Sequence, residues 1–136
     1  MKKLLAIIVL GLLWSGNANS NELVGIKLEC NFHDSLFRYF HFKSPDIVQT
    51  WIRAKTSKPK DGHNSYYNEG VRFIDIYTNK KKDSEYSLGT IDREALTFRE
   101  GSLVYKCKTI DVEDMNIYLK DIFEKDSKSQ KEKNKI

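Results

Sequence analysis

Gly25-Ile26-Lys27-Leu28-Glu29-Cys30-Asn31-Phe32 and Leu103-Val104-Tyr105-Lys106-Cys107-Lys108-Thr109 decide how this chain is read. In the first stretch Ile26, Leu28, Cys30 and Phe32 fall on one face, with Lys27, Glu29 and Asn31 on the other. In the second, Leu103, Tyr105 and Cys107 share a face opposite Lys106 and Lys108. Such alternation marks a strand with one buried side. Each stretch carries one of the chain's two cysteines. Joined, Cys30 and Cys107 clamp an opening strand to a closing one across 77 residues. In the chain-entropy account, closing so long a loop stabilises a fold by roughly 4 to 5 kcal/mol.

Whether that bridge is expected depends on compartment, and the N-terminus speaks to it. Lys2 and Lys3 form a positive n-region, Leu4 to Trp14 is an apolar run broken by Gly11, and Ser15 to Ser20 is small and polar. Ala18-Asn19-Ser20 places small residues before a cleavage point, so residues 1–20 read as a secretory signal peptide. The apolar run is shorter than the roughly 18 to 20 residues that cross a bilayer, which leaves no stable membrane anchor after cleavage. The expected location is secreted or periplasmic, and there two cysteines make a disulfide rather than a metal or redox pair.

The chain's 23 Lys and Arg against 19 Asp and Glu give +4, of which Lys2 and Lys3 supply two. So balanced a remainder argues against a nucleic-acid partner. Residues 21–125 read as one disulfide-linked β domain, and Asp126 to Ile136, with only a terminal isoleucine to bury, as a disordered basic tail.

Within the domain, Leu36 to Lys43 is a strand aromatic enough to be buried on both faces: Leu36, Phe40 and Phe42 on one side, Phe37 and Tyr39 on the other. Ser44-Pro45-Asp46 has the make-up of a helix start, and Ile47, Val48, Trp51 and Ile52 follow at helical spacing. A short helix over residues 45–55 is therefore favoured over a strand. Thr56 to Asn68, with Pro59 and Asp61-Gly62, reads as a long loop, the setting in which binding residues concentrate. Val71 to Tyr77, Tyr86 to Ile91 and Leu96 to Phe98 are short strands separated by turns. From Asp111 the period changes to that of an amphipathic helix, with Val112, Met115, Leu119, Ile122 and Phe123 in one stripe. The fold class is mainly β: an antiparallel meander of about six strands, forming a curved sheet or partly closed barrel with a C-terminal helix.

Few residues point to chemistry. His33, His41 and His63 are not spaced as metal ligands, so neither a metal nor any other cofactor is expected. No serine sits in a Gly-x-Ser-x-Gly setting, and both cysteines belong to the disulfide, so no catalytic residue is assigned. Glu69, Glu85, Asp92 and Glu94 fall at strand ends or turns, where solvated acids belong. Asp75 interrupts an apolar strand face and needs either solvent or a partner such as Arg93 or Arg99. Aromatic residues crowd the segment from Phe37 to Tyr77, beside Arg38, Arg53 and Arg72. A small β core accounts for most of them, least well for Tyr66 and Tyr67 on a polar loop. Tyr66, Tyr67, Trp51 and Arg72 are the expected ligand-binding residues.

The order of signal peptide, first cysteine strand, Tyr86-Ser87-Leu88-Gly89-Thr90-Ile91-Asp92-Arg93-Glu94-Ala95-Leu96-Thr97-Phe98 and second cysteine strand resembles short exported bacterial proteins of unassigned function. That resemblance implies no activity. Asn68-Glu69-Gly70-Val71-Arg72-Phe73 is loosely similar to the inhibitory loop of periplasmic lysozyme inhibitors, which are small disulfide-bearing β-barrels. The family's serine before the glycine is missing here, so no active residue is carried over. The expected function is non-catalytic binding of a small molecule, glycan or envelope protein. Inhibition of an envelope hydrolase and a small hydrolase activity are the alternatives.

Overall fold

The computed structural model describes residues 22–55 and 57–133. The expected signal peptide, residues 1–20, lies outside them. The domain is a closed antiparallel barrel in which every strand pairs with its neighbours in sequence and the last returns to the first. Its strands are β1 (Lys27–Phe32), β2 (Leu36–Phe42), β3 (Ile47–Ala54), β4 (His63–Glu69), β5 (Phe73–Tyr77), β6 (Ser87–Asp92), β7 (Thr97–Glu100) and β8 (Leu103–Thr109), followed by one helix, α1 (Met115–Lys133). A single 3-10 turn, Ser84–Tyr86, precedes β6.

The two cysteine strands are the seam. In β1 and β8 Cys30 stands directly opposite Cys107, with Cα atoms 4.0 Å apart, and their sulfurs are bonded. Alternation then sorts each strand. Leu28, Phe40, Phe42, Val48, Tyr67, Ile74, Ile76, Ile91, Phe98 and Tyr105 point into the barrel and are buried there. Their rings meet edge to face or tilted: Phe40 on Phe98 at 4.8 Å, Phe42 on Tyr67 at 4.9 Å and Phe98 on Tyr105 at 5.6 Å between centroids. Eight strands enclose little more than the side chains that fill them, so this interior is a core. Gly89 shows how tight it is, since a Cβ there would lie 2.6 Å from the Phe98 ring and 2.3 Å from the Arg99 carbonyl oxygen.

A second apolar layer lies outside the barrel. Tyr39 and Trp51, on the outward faces of β2 and β3, pack against Met115 and Leu119 of α1, with Phe37, Ile110, Val112 and Tyr118 around them. The double burial of β2 follows its sequence pattern. Arg53 is held in this layer with its guanidinium 4.2 Å above the Phe37 ring, its Nε donating to the Tyr39 hydroxyl and its Nη1 paired with Asp126 at 3.2 Å. Trp51 Nε1 donates to Asn116 Oδ1 at 3.1 Å, and the Tyr118 hydroxyl donates to Glu29 Oε2 at 2.9 Å. Helix α1 is thus fastened across β1, β2 and β3.

Four expectations are corrected. Residues 47–54 are strand β3, not a helix. Both faces of β3 are buried, so Val48, Trp51 and Ile52 only imitate helical spacing, and the β-branched Ile47, Val48, Thr50 and Ile52 decide for the strand. Ser44-Pro45-Asp46 forms the β2–β3 turn, with the Lys43 and Ser44 amides donating to the Ile47 carbonyl. Residues 63–68 of the expected loop belong instead to β4 (His63–Glu69), a strand with no aliphatic residue in which Ser65 and Tyr67 face inward. These two strands raise the expected six to eight. The helical period expected from Asp111 begins only at Met115, where Asp114 caps α1 by accepting from the Ile117 amide at Oδ1. It also runs to Lys133, well into the expected disordered tail, and the Arg53–Asp126 pair ties that extension to the barrel.

Replacing both cysteines with alanine frees the seam in the unfolded chain and also removes the buried Cys30 sulfur from the core. The double variant should lose about 2 to 5 kcal/mol of unfolding free energy in urea titrations, against the oxidised parent. An unchanged midpoint would show that strand pairing alone holds the barrel closed.

Candidate functional site

Tyr66, Tyr67, Trp51 and Arg72 do not converge. Tyr67 is a core residue, 1% exposed, whose hydroxyl donates to the Ser44 carbonyl oxygen at 2.7 Å. Trp51 is 3% exposed beneath α1. Tyr66 is half-buried on the outward face of β4, opposite Ile47 and Tyr77. Arg72 sits in the exposed β4–β5 turn, paired with Asp92 at 3.2 Å and Glu94 at 3.4 Å, its guanidinium 5.1 Å from the Phe73 ring centroid.

The histidines are equally dispersed. His33 lies in the β1–β2 turn with a positive φ of 49°, His41 is on β2 opposite Lys27, and His63 opens β4. Burial lowers the His41 pKa, and the charges of Lys27 and Lys43 lower it further. Among the described residues no group of three or more His, Cys, Asp or Glu is placed to hold a metal ion. Asp75 accepts a hydrogen bond from Thr90 Oγ1 at 2.9 Å across the β5–β6 pair, rather than pairing with Arg93 or Arg99. Arg93 instead meets Glu69 at 3.5 Å near the barrel end, with both side chains almost wholly buried. Burial raises the Glu69 pKa, Arg93 opposes that rise and Glu22 adds to it.

The structure does bring together one set of residues that no sequence motif marks. Loop residues Lys58, Pro59, Lys60 and Asp61 face Asn116, Leu119, Lys120, Phe123 and Glu124 of α1 across a groove of about 330 Å³. Trp51 fixes its geometry from below. The indole is bonded to Asn116 on one wall, and Gly62 at the foot of the other comes so close that a Cβ there would lie 2.5 Å from the ring. Gly62 therefore cannot be exchanged for a larger residue without moving the loop. The floor is Leu119, Pro59 and Phe123, with the lysines, Asp61 and Glu124 on the rim. Among the described residues, none of Lys58, Lys60, Asp61, Lys120 and Glu124 makes a salt bridge. Residues 58–61 were legible as loop from their composition. Their partner wall was not legible, because residues 58–61 and 116–124 meet only through the tertiary fold.

A second exposed feature is the β4–β5 turn. Val71 is 70% exposed and Phe73 47%. Among the described residues no helix is long and apolar enough to cross a membrane. No protein-family model, curated protein or solved structure matches the chain.

Burial pushes the Tyr39 and Tyr67 hydroxyls up to about 12. A phenol raised above its unfolded value near 10 contributes stability that is complete below pH 10 and is lost as pH rises through 12. Unfolding free energy should therefore fall between pH 10 and 12, by up to about 1.4 kcal/mol per pH unit for each buried tyrosine. Tyr67→Phe should flatten that slope in pH-dependent denaturant melts. An unaltered slope would place the Tyr67 hydroxyl in solvent and return it to the list of binding residues.

Proposed function

We propose that the chain is a non-catalytic binding protein of an oxidising, extracytoplasmic space, and that its binding site is the groove between residues 58–61 and helix α1. The observation that carries this reading is the groove itself: an apolar floor under charged rim residues that are uncommitted within the described fold. The barrel interior is packed with large side chains, and ligand sites need concave, partly apolar space, so the reading turns to the outer surface. The Cys30–Cys107 bridge and the leader-like first twenty residues support the compartment. The scatter of histidines and acids supports binding without catalysis.

Backbone amide NMR tests the assignment. Titrating the chain with charged and neutral amphiphiles and soluble oligosaccharides should move resonances of residues 58–61 and 116–124, and the added compounds should be recovered intact. Saturable shifts confined to another face, or chemical conversion of a compound, would refute it.

A second reading, inhibition of an envelope hydrolase, is favoured by the bare apolar tip of the β4–β5 turn. Exposed Val71 and Phe73 flank Arg72, as in a small protruding recognition element. If this reading holds, the purified chain inhibits lysozyme in a turbidity assay and Val71→Asp abolishes the effect. Absence of inhibition by the parent chain removes it and leaves the groove.

A further inference from the structure

We propose that the groove takes a single-chain amphipathic anion, with its acidic head among Lys58, Lys60 and Lys120 and its hydrocarbon tail over Pro59, Leu119 and Phe123. This rests on the groove being the binding site and names the ligand class. Three ammonium groups and two carboxylates line it, which leaves one positive charge for a ligand to balance. A monoanionic head satisfies that balance. A cationic head would meet the lysines with like charge.

The floor sets the other half of the molecule. Leu119 is buried in the outer core cluster with Tyr39 and Trp51 and backs the floor in a fixed position, while Pro59 and Phe123 supply most of the apolar surface a tail would meet. Phe123 lies one turn further along the same face of α1. An apolar floor this small, in a volume at the lower end for ligand sites, fits one hydrocarbon chain rather than a two-tailed lipid. Apart from Asn116 on the wall, whose Oδ1 already accepts from Trp51, a sugar would find hydrogen-bonding side chains only at the rim. The lysines are exposed and mobile-headed, suited to gathering round a head group whose exact oxygen geometry is variable.

Calorimetric titration of the full chain with sodium dodecanoate, held below its micelle threshold, tests the proposal. Saturable one-to-one binding is expected, about tenfold weaker for decanoate because two methylenes are lost. Acetate should give no saturable heat, and dodecyltrimethylammonium should bind at least tenfold more weakly than dodecanoate. The triple variant Lys58→Ala, Lys60→Ala, Lys120→Ala should keep the parent's melting temperature and lose dodecanoate affinity by tenfold or more. Equal binding of the cationic and anionic amphiphiles, or an unaffected triple variant, overturns the proposal while leaving amide shifts in the groove, and so leaves the site intact. No dodecanoate binding overturns it outright. Sedimentation with phosphatidylglycerol-containing vesicles separates the two sources of such an anion. Lysine-dependent pelleting without binding of the free monomer overturns the proposal in favour of a membrane surface.

Discussion

The pairing of β1 with β8 is the constraint on which everything else in this protein depends. Among the described strands it is the one pairing between elements distant in sequence, and it converts a meander with two bare edges into a closed barrel. The Cys30–Cys107 bridge sits inside that pairing, at directly opposed positions. Parting the seam would expose Leu28 and Tyr105 from the interior and would also loosen the outer layer. The Ile110 amide donates to the Lys27 carbonyl beside the seam, and Glu29 of β1 accepts from Tyr118 of α1. Inner core, outer core and helix position therefore share one anchorage.

Strands β2 and β3 carry the load on both sides. Their inward residues fill the barrel and their outward ones seat the helix. Arg53 illustrates what a charged residue needs in such a place. Its guanidinium has a ring beneath it, a hydroxyl at one nitrogen and a carboxylate at another, so a buried cation is solvated by the protein itself. Its partner Asp126 lies eleven residues into α1, which explains how a helix whose second half is almost wholly polar stays against the barrel. The same seating fixes one wall of the groove, so the groove's shape is a by-product of core packing rather than of a dedicated motif.

Local patterning carried much of the architecture. The cysteine strands, the two-faced burial of β2 and the change to helical period after residue 110 all follow from alternation, which each segment displays on its own. Sequence reasoning failed where two environments act on one segment. Because β3 is buried on both faces, its apolar residues lose the period of two that would identify it. β4 has the reverse difficulty: Ser65 and Tyr67 supply an inward face with no aliphatic residue, and the segment reads as loop. The candidate site was legible only in part for a related reason. Lys58-Pro59-Lys60-Asp61 is visibly a loop, but its facing wall is almost sixty residues away in sequence, and only the packing of Trp51 against Asn116 and Gly62 brings the two together.

Two sulfurs admit a single intramolecular partner, and this shapes how the barrel can be made. Seven of the eight pairings join consecutive strands, so hairpins can zip one after another at small entropic cost, and the expense of a long loop falls on one concluding event. Oxidation cannot trap a scrambled isomer within one chain, because Cys30 has only Cys107 to meet. Covalent error is confined to cross-links between molecules, which dilution suppresses. Within one chain a thiol–disulfide isomerase has no wrong pairing to correct, and an oxidant alone suffices to lock the finished barrel.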